Sequence, residues 1–172
     1  SSIEEINNYI AQINSNNVCE IANDNAQGQI IVSGNIEPIE ELKKILKENK
    51  KKCISLPVSA PFHCSLMNPA AIKMKKKIDL VNFKEPDFEI ISNVKALPVT
   101  SPEEIKKILV EQIYSKVRWR ESIMFMGKNK INDFIEIGPG KVLTGLVKRI
   151  LPGSNSFSIN SIDDIKNLKN ES

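Results

Sequence analysis

The chain is poor in the residues that build metal sites and disulfides. It has one histidine, His63, and three cysteines, Cys19, Cys53 and Cys64. With an odd cysteine count, no C-x-x-C pair and no second histidine, neither a zinc site nor a disulfide framework is expected, and a reducing cytoplasm fits best. No window approaches the roughly 20 apolar residues of a membrane span. The opening Ser1-Ser2-Ile3-Glu4-Glu5 has neither the basic start nor the apolar stretch of a secretory leader. An initiator methionine is also missing, as in a fragment or a processed product. The net charge of +3 has no clustered basic face behind it, which argues against nucleic acid. The one dense run, Lys50-Lys51-Lys52, lies between a helical and a strand pattern and reads as a solvated turn. What remains is an ordinary globular balance, 41% hydrophobic and 26% charged over 172 residues, enough for one domain or two small ones.

Apolar periodicity divides the chain into elements. Ile3, Ile6, Ile10 and Ile13 predict a helix over 2–14, and Val18–Ala22 suits a strand. Residues 23–28 (N-D-N-A-Q-G) are turn chemistry, and β-branched 29–33 is a second strand, closed by Gly34. Pro38 introduces a helix carried by Ile39, Leu42, Ile45 and Leu46, and residues 53–58 read as a third strand. Helix–strand–strand–helix–strand is most of a βαββαβ unit without its first strand. Beyond Pro61, Leu66 through Val81 predict a long helix, and Phe88–Ile91 a strand. Ser101-Pro102-Glu103-Glu104 is a helix start, with serine as cap, proline in the first turn and glutamate three residues after the cap. Ile105, Ile108, Leu109 and Ile113 carry that helix onward; further helices are expected over 119–126 and 142–150, strands at 134–137 and 156–159, and a last helix capped by Ser161 with Asp164. Alternating strands and helices over 88–170 indicate α/β architecture with a mainly parallel sheet.

Few residues carry chemistry. His63 lies in P-V-S-A-P-F-H-C (57–64), between a strand and a helix, where two prolines restrict the backbone and fix where the ring points. Position alone leaves two readings, a general base near neutral pH and a buried structural histidine. Gly138-Pro139-Gly140-Lys141 precedes a helix. A phosphate cradle there is conceivable, but the spacing matches no phosphate-binding motif and a tight turn is the simpler reading. Cys64 beside His63 lacks a second base to activate it and reads as a packing residue. Trp119 and the Met74/Ile78 stripe read as core, and Glu136 is left undecided between strained and paired.

Together, N-D-N-A-Q-G-Q-I-I-V-S-G (23–34), L-P-V-S-A-P-F-H-C-S-L-M (56–67), Q-I-Y-S-K-V-R-W (112–119) and I-E-I-G-P-G-K-V-L-T-G-L-V-K-R (135–149) resemble the bacterial malonyl-CoA:acyl-carrier-protein transacylases. The resemblance covers nearly the whole chain and implies the C-terminal half of such an enzyme. The implied fold is α/β: an α/β-hydrolase-like large subdomain, of which 61–172 would be the C-terminal part, with a ferredoxin-like small subdomain over 1–60. The implied reaction is malonyl transfer from malonyl-CoA to the pantetheine thiol of acyl carrier protein through a serine-bound intermediate, in fatty acid biosynthesis. His63 matches the catalytic histidine, and Gln112 a glutamine whose backbone carbonyl orients it. Phe62 matches an aromatic that crowds an α-methyl branch. Asn23 and Asn25 match an N-x-N-x-P-G-Q stretch near the cleft, with Gln27 in place of the proline. The enzyme would be monomeric when full length, cytoplasmic, and free of metal or cofactor, coenzyme A arriving only as the substrate thioester.

The serine elbow G-H-S-x-G and the arginine that clamps the malonyl carboxylate have no counterpart here, so these 172 residues are expected to be inactive alone. Two rival readings follow. One is a non-catalytic module binding the acidic carrier protein through its lysines; the other is a related thioesterase or hydrolase, with water as acceptor.

Overall fold

Three helix starts are written in the serines before them, Ser2, Ser101 and Ser161. Ser2 Oγ accepts the Glu5 N–H at 3.1 Å and opens helix α1 (Ile3–Ile10). In this computed structural model, residues 1–170 are described, with side chains through Lys166, and two compact units divide at residues 122 and 123.

In the first unit, α1 is followed by strands β1 (Cys19–Ala26) and β2 (Gln29–Gly34), an antiparallel hairpin turning at Gln27-Gly28, and by helix α2 (Ile36–Glu48). Ile6, Leu42 and Leu46 are the buried centre of this layer, with Tyr9, Ile13, Ile21, Ile30 and Val32 packed around them. Burying such a side chain stabilises by about 1.5–3 kcal/mol. Gly34 allows a close crossing: a Cβ there would meet Val18 O at 2.1 Å, and the neighbouring Asn35 N–H donates to that oxygen at 2.8 Å. The lysine run is the turn the sequence predicts, and Lys51 reaches back to Glu5 at 2.6 Å.

Residues 53–58 form no regular element, contrary to the predicted strand. Ile54, Leu56 and Val58 are 69, 51 and 62% exposed. A strand needs a neighbour for its backbone donors and acceptors, and no described strand pairs with this segment. The predicted long helix begins as a single 3₁₀ turn (Ser65–Met67) and continues as α3 (Asn68–Ile78). Its apolar stripe is not core: Ala71 is buried, whereas Met74 is 48% exposed. Periodicity shows that an apolar face exists, not that anything covers it. Two short strands, β3 (Ile90–Ile91) and β4 (Pro98–Val99), pair antiparallel, so the predicted strand at 88–91 shrinks to two residues. Helix α4 (Pro102–Glu111) starts as the sequence says, with Ser101 Oγ accepting the Glu104 N–H. It buries Ile105 and Ile108 with Val99.

Helix α5 (Trp119–Lys128) spans the division between the units. The second unit holds β5 (Asp133–Ile137), α6 (Val142–Ile150), β6 (Asn155–Ile159) and α7 (Ile162–Asn170). Strands β5 and β6 run parallel with α6 between them in sequence, a βαβ unit. Among the described strands the pairs form three separate two-stranded sheets, β1–β2 and β3–β4 antiparallel and only β5–β6 parallel, so the mainly parallel sheet expected from sequence is not seen there. At α7, Ser161 Oγ accepts the Asp164 N–H while Asp164 accepts the Ser161 N–H, a reciprocal cap.

Candidate active site

The loop before α3 carries a strained residue. His63 has φ +59°, the left-handed region that a non-glycine residue enters at a cost of about 1–2 kcal/mol. Such strain persists only where neighbours over-determine the backbone, and here they do. Cys64 is fully buried and its thiol donates to Pro61 O at 3.2 Å. The Met67 N–H returns to Cys64 O at 3.0 Å. Ser65 donates twice to Glu20 on β1, through its N–H at 2.9 Å and its hydroxyl at 2.6 Å.

The strained backbone turns the imidazole toward α4. His63 Nδ1 lies 2.9 Å from the backbone carbonyl of Gln112, 49 residues away, at the C-terminal cap of α4. A carbonyl only accepts, so Nδ1 carries the proton and donates it. In the neutral ring, Nε2 is then the free lone pair. The ring is half-buried, not walled into apolar core. A histidine with one nitrogen held and the other free is a general base in waiting.

The Gln112 turn is itself anchored on β1. The Val117 N–H donates to Ala22 O at 2.8 Å, and the Asp24 N–H to Val117 O at 2.9 Å. Beside them, the Arg120 Nε–H reaches both oxygens of the buried Asp24 carboxylate at 3.0 Å. Asn93 adds a longer contact to the Gln112 side-chain oxygen, 3.5 Å. Of the sequence-predicted residues, the structure therefore brings His63 and Gln112 together. Phe62 follows in the same loop and is 46% exposed. Asn23 and Asn25 lie on β1, alternating with the buried Ala22, Asp24 and Ala26, and no hydrogen bond joins either to His63 among the described residues.

Cys19 is a poor nucleophile. The Cys19 thiol is pushed up to about 11, first by burial and then by the neighbouring Glu20 and Cys64. Among the described residues no group of histidine, cysteine and acidic side chains could hold a metal, and no helix is long and apolar enough to cross a membrane. The Gly138–Gly140 turn is no phosphate cradle. Glu136 already takes the donors at the start of α6: the Leu143 and Thr144 N–H groups at 3.1 and 2.8 Å, and the Thr144 hydroxyl at 2.7 Å. Those hydrogen bonds, the Thr144 amide foremost, hold the Glu136 carboxyl below the usual carboxylate range. The residue left undecided in sequence is thus a side-chain cap.

Sequence reasoning missed Glu20, Asp24, Asn93 and Arg120. Each lies at least 19 residues from the partner it holds, and no spacing rule links such positions.

No family model matches the chain. Individual relatives do. The Bacillus subtilis malonyl CoA-acyl carrier protein transacylase is 47% identical over 135 residues, 78% of this chain and 43% of that protein. The Haemophilus influenzae transacylase is 34% identical over 160 residues, 92% and 51%. The chain belongs to the malonyl CoA-acyl carrier protein transacylase family. Solved transacylase structures agree. The acyl-carrier-protein S-malonyltransferase of Bartonella henselae superposes with a TM-score of 0.94 at 36% identity, over 99% of this chain and 55% of that one. A malonyl-transacylase in complex with a type II polyketide acyl-carrier protein gives 0.90 at 33% identity, over 99% and 56%. The chain spans about half the length of the transacylases it matches.

Proposed function

We propose that this chain is the C-terminal, histidine-bearing half of a transacylase that moves malonyl from malonyl-CoA to the pantetheine thiol of acyl carrier protein in fatty acid biosynthesis. The observation that carries this reading is the 2.9 Å contact between His63 Nδ1 and Gln112 O. It leaves Nε2 free to take the proton of a serine hydroxyl as that oxygen attacks the malonyl thioester. The protonated ring then returns the proton to the departing coenzyme A thiolate. In the second half-reaction Nε2 takes the proton of the pantetheine thiol and returns it to the serine. A carbonyl in the aspartate's place fixes the tautomer without adding a charge. These 172 residues contain no G-x-S-x-G elbow, so the attacking serine and the group that binds the malonyl carboxylate are assigned to the other half of the enzyme.

Phe62, beside the histidine, is the candidate for turning away a branched acyl group. One methyl is worth about 1–3 kcal/mol, so Phe62→Ala is expected to narrow malonyl-over-methylmalonyl preference without abolishing turnover. Asn23 and Asn25 on β1 are candidates for the cleft wall. The order α1–β1–β2–α2 supports a ferredoxin-like small subdomain over 1–60, and the β5–α6–β6 unit a hydrolase-like remainder. The chemistry needs neither metal nor cofactor. Malonyl-CoA and acyl carrier protein are its partners, and the full-length enzyme is read as a cytoplasmic monomer that takes up neither nucleic acid nor membrane.

The test is acyl loading followed by mass spectrometry. The 172-residue chain alone is expected to leave carrier protein unloaded; supplied with a serine-bearing transacylase half, it is expected to load malonyl, and the His63→Ala form is not. Loading by the chain alone would overturn the reading. A binding module or a hydrolase would instead show carrier-protein binding indifferent to His63, or free malonate.

A further inference from the structure

We propose that Glu20 is a positioning residue for the His63 base, and that strand β1 sets the distance across which the imidazole meets its orienting carbonyl. The inference rests on the reading of His63 as the base, but its test does not depend on acyl transfer.

Two pieces of backbone far apart in sequence must meet at 2.9 Å for Nδ1 to find Gln112 O. Both are tied to β1, and α3 also packs directly against α4. At one end of the strand, Glu20 takes the N–H and the hydroxyl of Ser65, two residues after His63, one on each carboxylate oxygen. Toward the other end, Ala22 and Asp24 exchange backbone hydrogen bonds with Val117, five residues after Gln112. Arg120 locks that end onto the Asp24 carboxylate. Strand residues are spaced by about 3.3 Å, so Glu20 and the Asn23–Val117 bridge lie roughly 10 Å apart along β1, which pairs with β2 through a register shift between Ile21 and Asn23. The ruler is stiff because it is a paired strand.

The Glu20 grip matters because of where it falls. His63 at φ +59° relaxes toward ordinary backbone unless both flanks are fixed. The bond from the buried Cys64 thiol to Pro61 O spans His63 and is local to the loop. On the C-terminal side, Ser65 ties the loop to Glu20 on β1, beside the packing of α3 on α4. Without that grip the loop keeps its own turns but loses its registration against α4, and the imidazole loses Gln112 O.

Because His63 is the sole histidine, its ring can be observed without ambiguity. Nitrogen-15 spectra of the labelled chain at a pH where the ring is neutral report which nitrogen bears the proton. The wild-type chain is expected to show the Nδ1–H form. Glu20→Ala is expected to shift the ring to the Nε2–H form that unconstrained imidazole favours. It is also expected to change the rate of carbethoxylation of the ring by diethyl pyrocarbonate. Glu20→Gln, which still offers Ser65 an acceptor, is expected to rescue most of the Nδ1–H signal. Ser65→Ala, which removes the hydroxyl bond and keeps the amide bond, is expected to fall between them. Glu40→Ala, at an exposed pair with Lys43, serves as control and is expected to change nothing. A folded Glu20→Ala chain that keeps the wild-type tautomer overturns the proposal. If Glu20→Ala does not fold, Ser65→Ala decides by the same signal. Wild-type chain without the Nδ1–H form would instead sink the reading of the His63–Gln112 pair itself.

Discussion

Two junctions in this molecule lead a chain into a helix through left-handed backbone, and they end in opposite chemical states. At His63 the strained residue holds one ring nitrogen against Gln112 O and leaves the other free. At Gly138-Pro139-Gly140 the turn is again left-handed, with φ +136° and +97° at the two glycines, but the Gly140, Leu143 and Thr144 amides at the start of α6 are engaged. Glu136 takes the Leu143 and Thr144 amides, and Asn160 takes the Gly140 N–H at 2.7 Å. Unusual backbone is therefore not what marks a site. A site keeps one capable atom unspent, whereas this structural turn spends those three amides.

The comparison breaks most visibly at His63. Once the chain is joined to a serine-bearing half, His63→Ala is expected to lower malonyl transfer about 100- to 10,000-fold, the contribution of a positioned base. Unfolding of the chain by denaturant should be little changed, and a transfer rate within threefold of wild type would put the unspent nitrogen out of use. Second is the anchor of the Gln112 turn. Arg120→Ala strips the partner from Asp24, which is 1% exposed, and is expected to cost about 3 kcal/mol by urea denaturation. An effect below 1 kcal/mol would mean that the turn is held elsewhere. Third, Gly140→Ala puts a Cβ on backbone at φ +97° with nothing within 4 Å to clash with it. Its expected cost is strain alone, about 1 kcal/mol, and it should leave the His63 tautomer untouched.

The smallest effect sharpens the contrast by pH. Glu136 has its carboxyl lowered in the folded chain, first by the Thr144 amide, then by the Thr144 hydroxyl. A depressed carboxylate stabilises above its unfolded pKa of about 4.3, and that stabilisation is lost as pH falls through the folded value. Glu136→Gln should therefore be less stable than wild type near neutrality, and the gap should close on acidification below about pH 4. A gap independent of pH would show that the cap works by shape, not by charge.

Much of the fold was legible because its signals are local. Ser2, Ser101 and Ser161 each start a helix by accepting an N–H three residues on, and all three starts are visible in sequence. The failures are those of long-range partnership. Residues 53–58 alternate like a strand, but no described strand pairs with them. Met74 sits on an apolar stripe, but little covers it. The same divide runs through the site. His63 stood out as the sole histidine between prolines, and Gln112 through resemblance, but Glu20, Asp24 and Arg120 carry no mark of their own in the sequence.

By itself, then, the sequence determined where helices begin, where chains turn, and which side chain has the chemistry of a base. Those depend on dihedral preference and on hydrogen bonds spanning three or four residues. Tertiary structure alone decided which nitrogen of that ring meets a carbonyl, that the glutamate before the glycine turn is a cap, and that residues 63 and 112 lie in contact. Each of these joins groups whose separation along the chain says nothing of their separation in space.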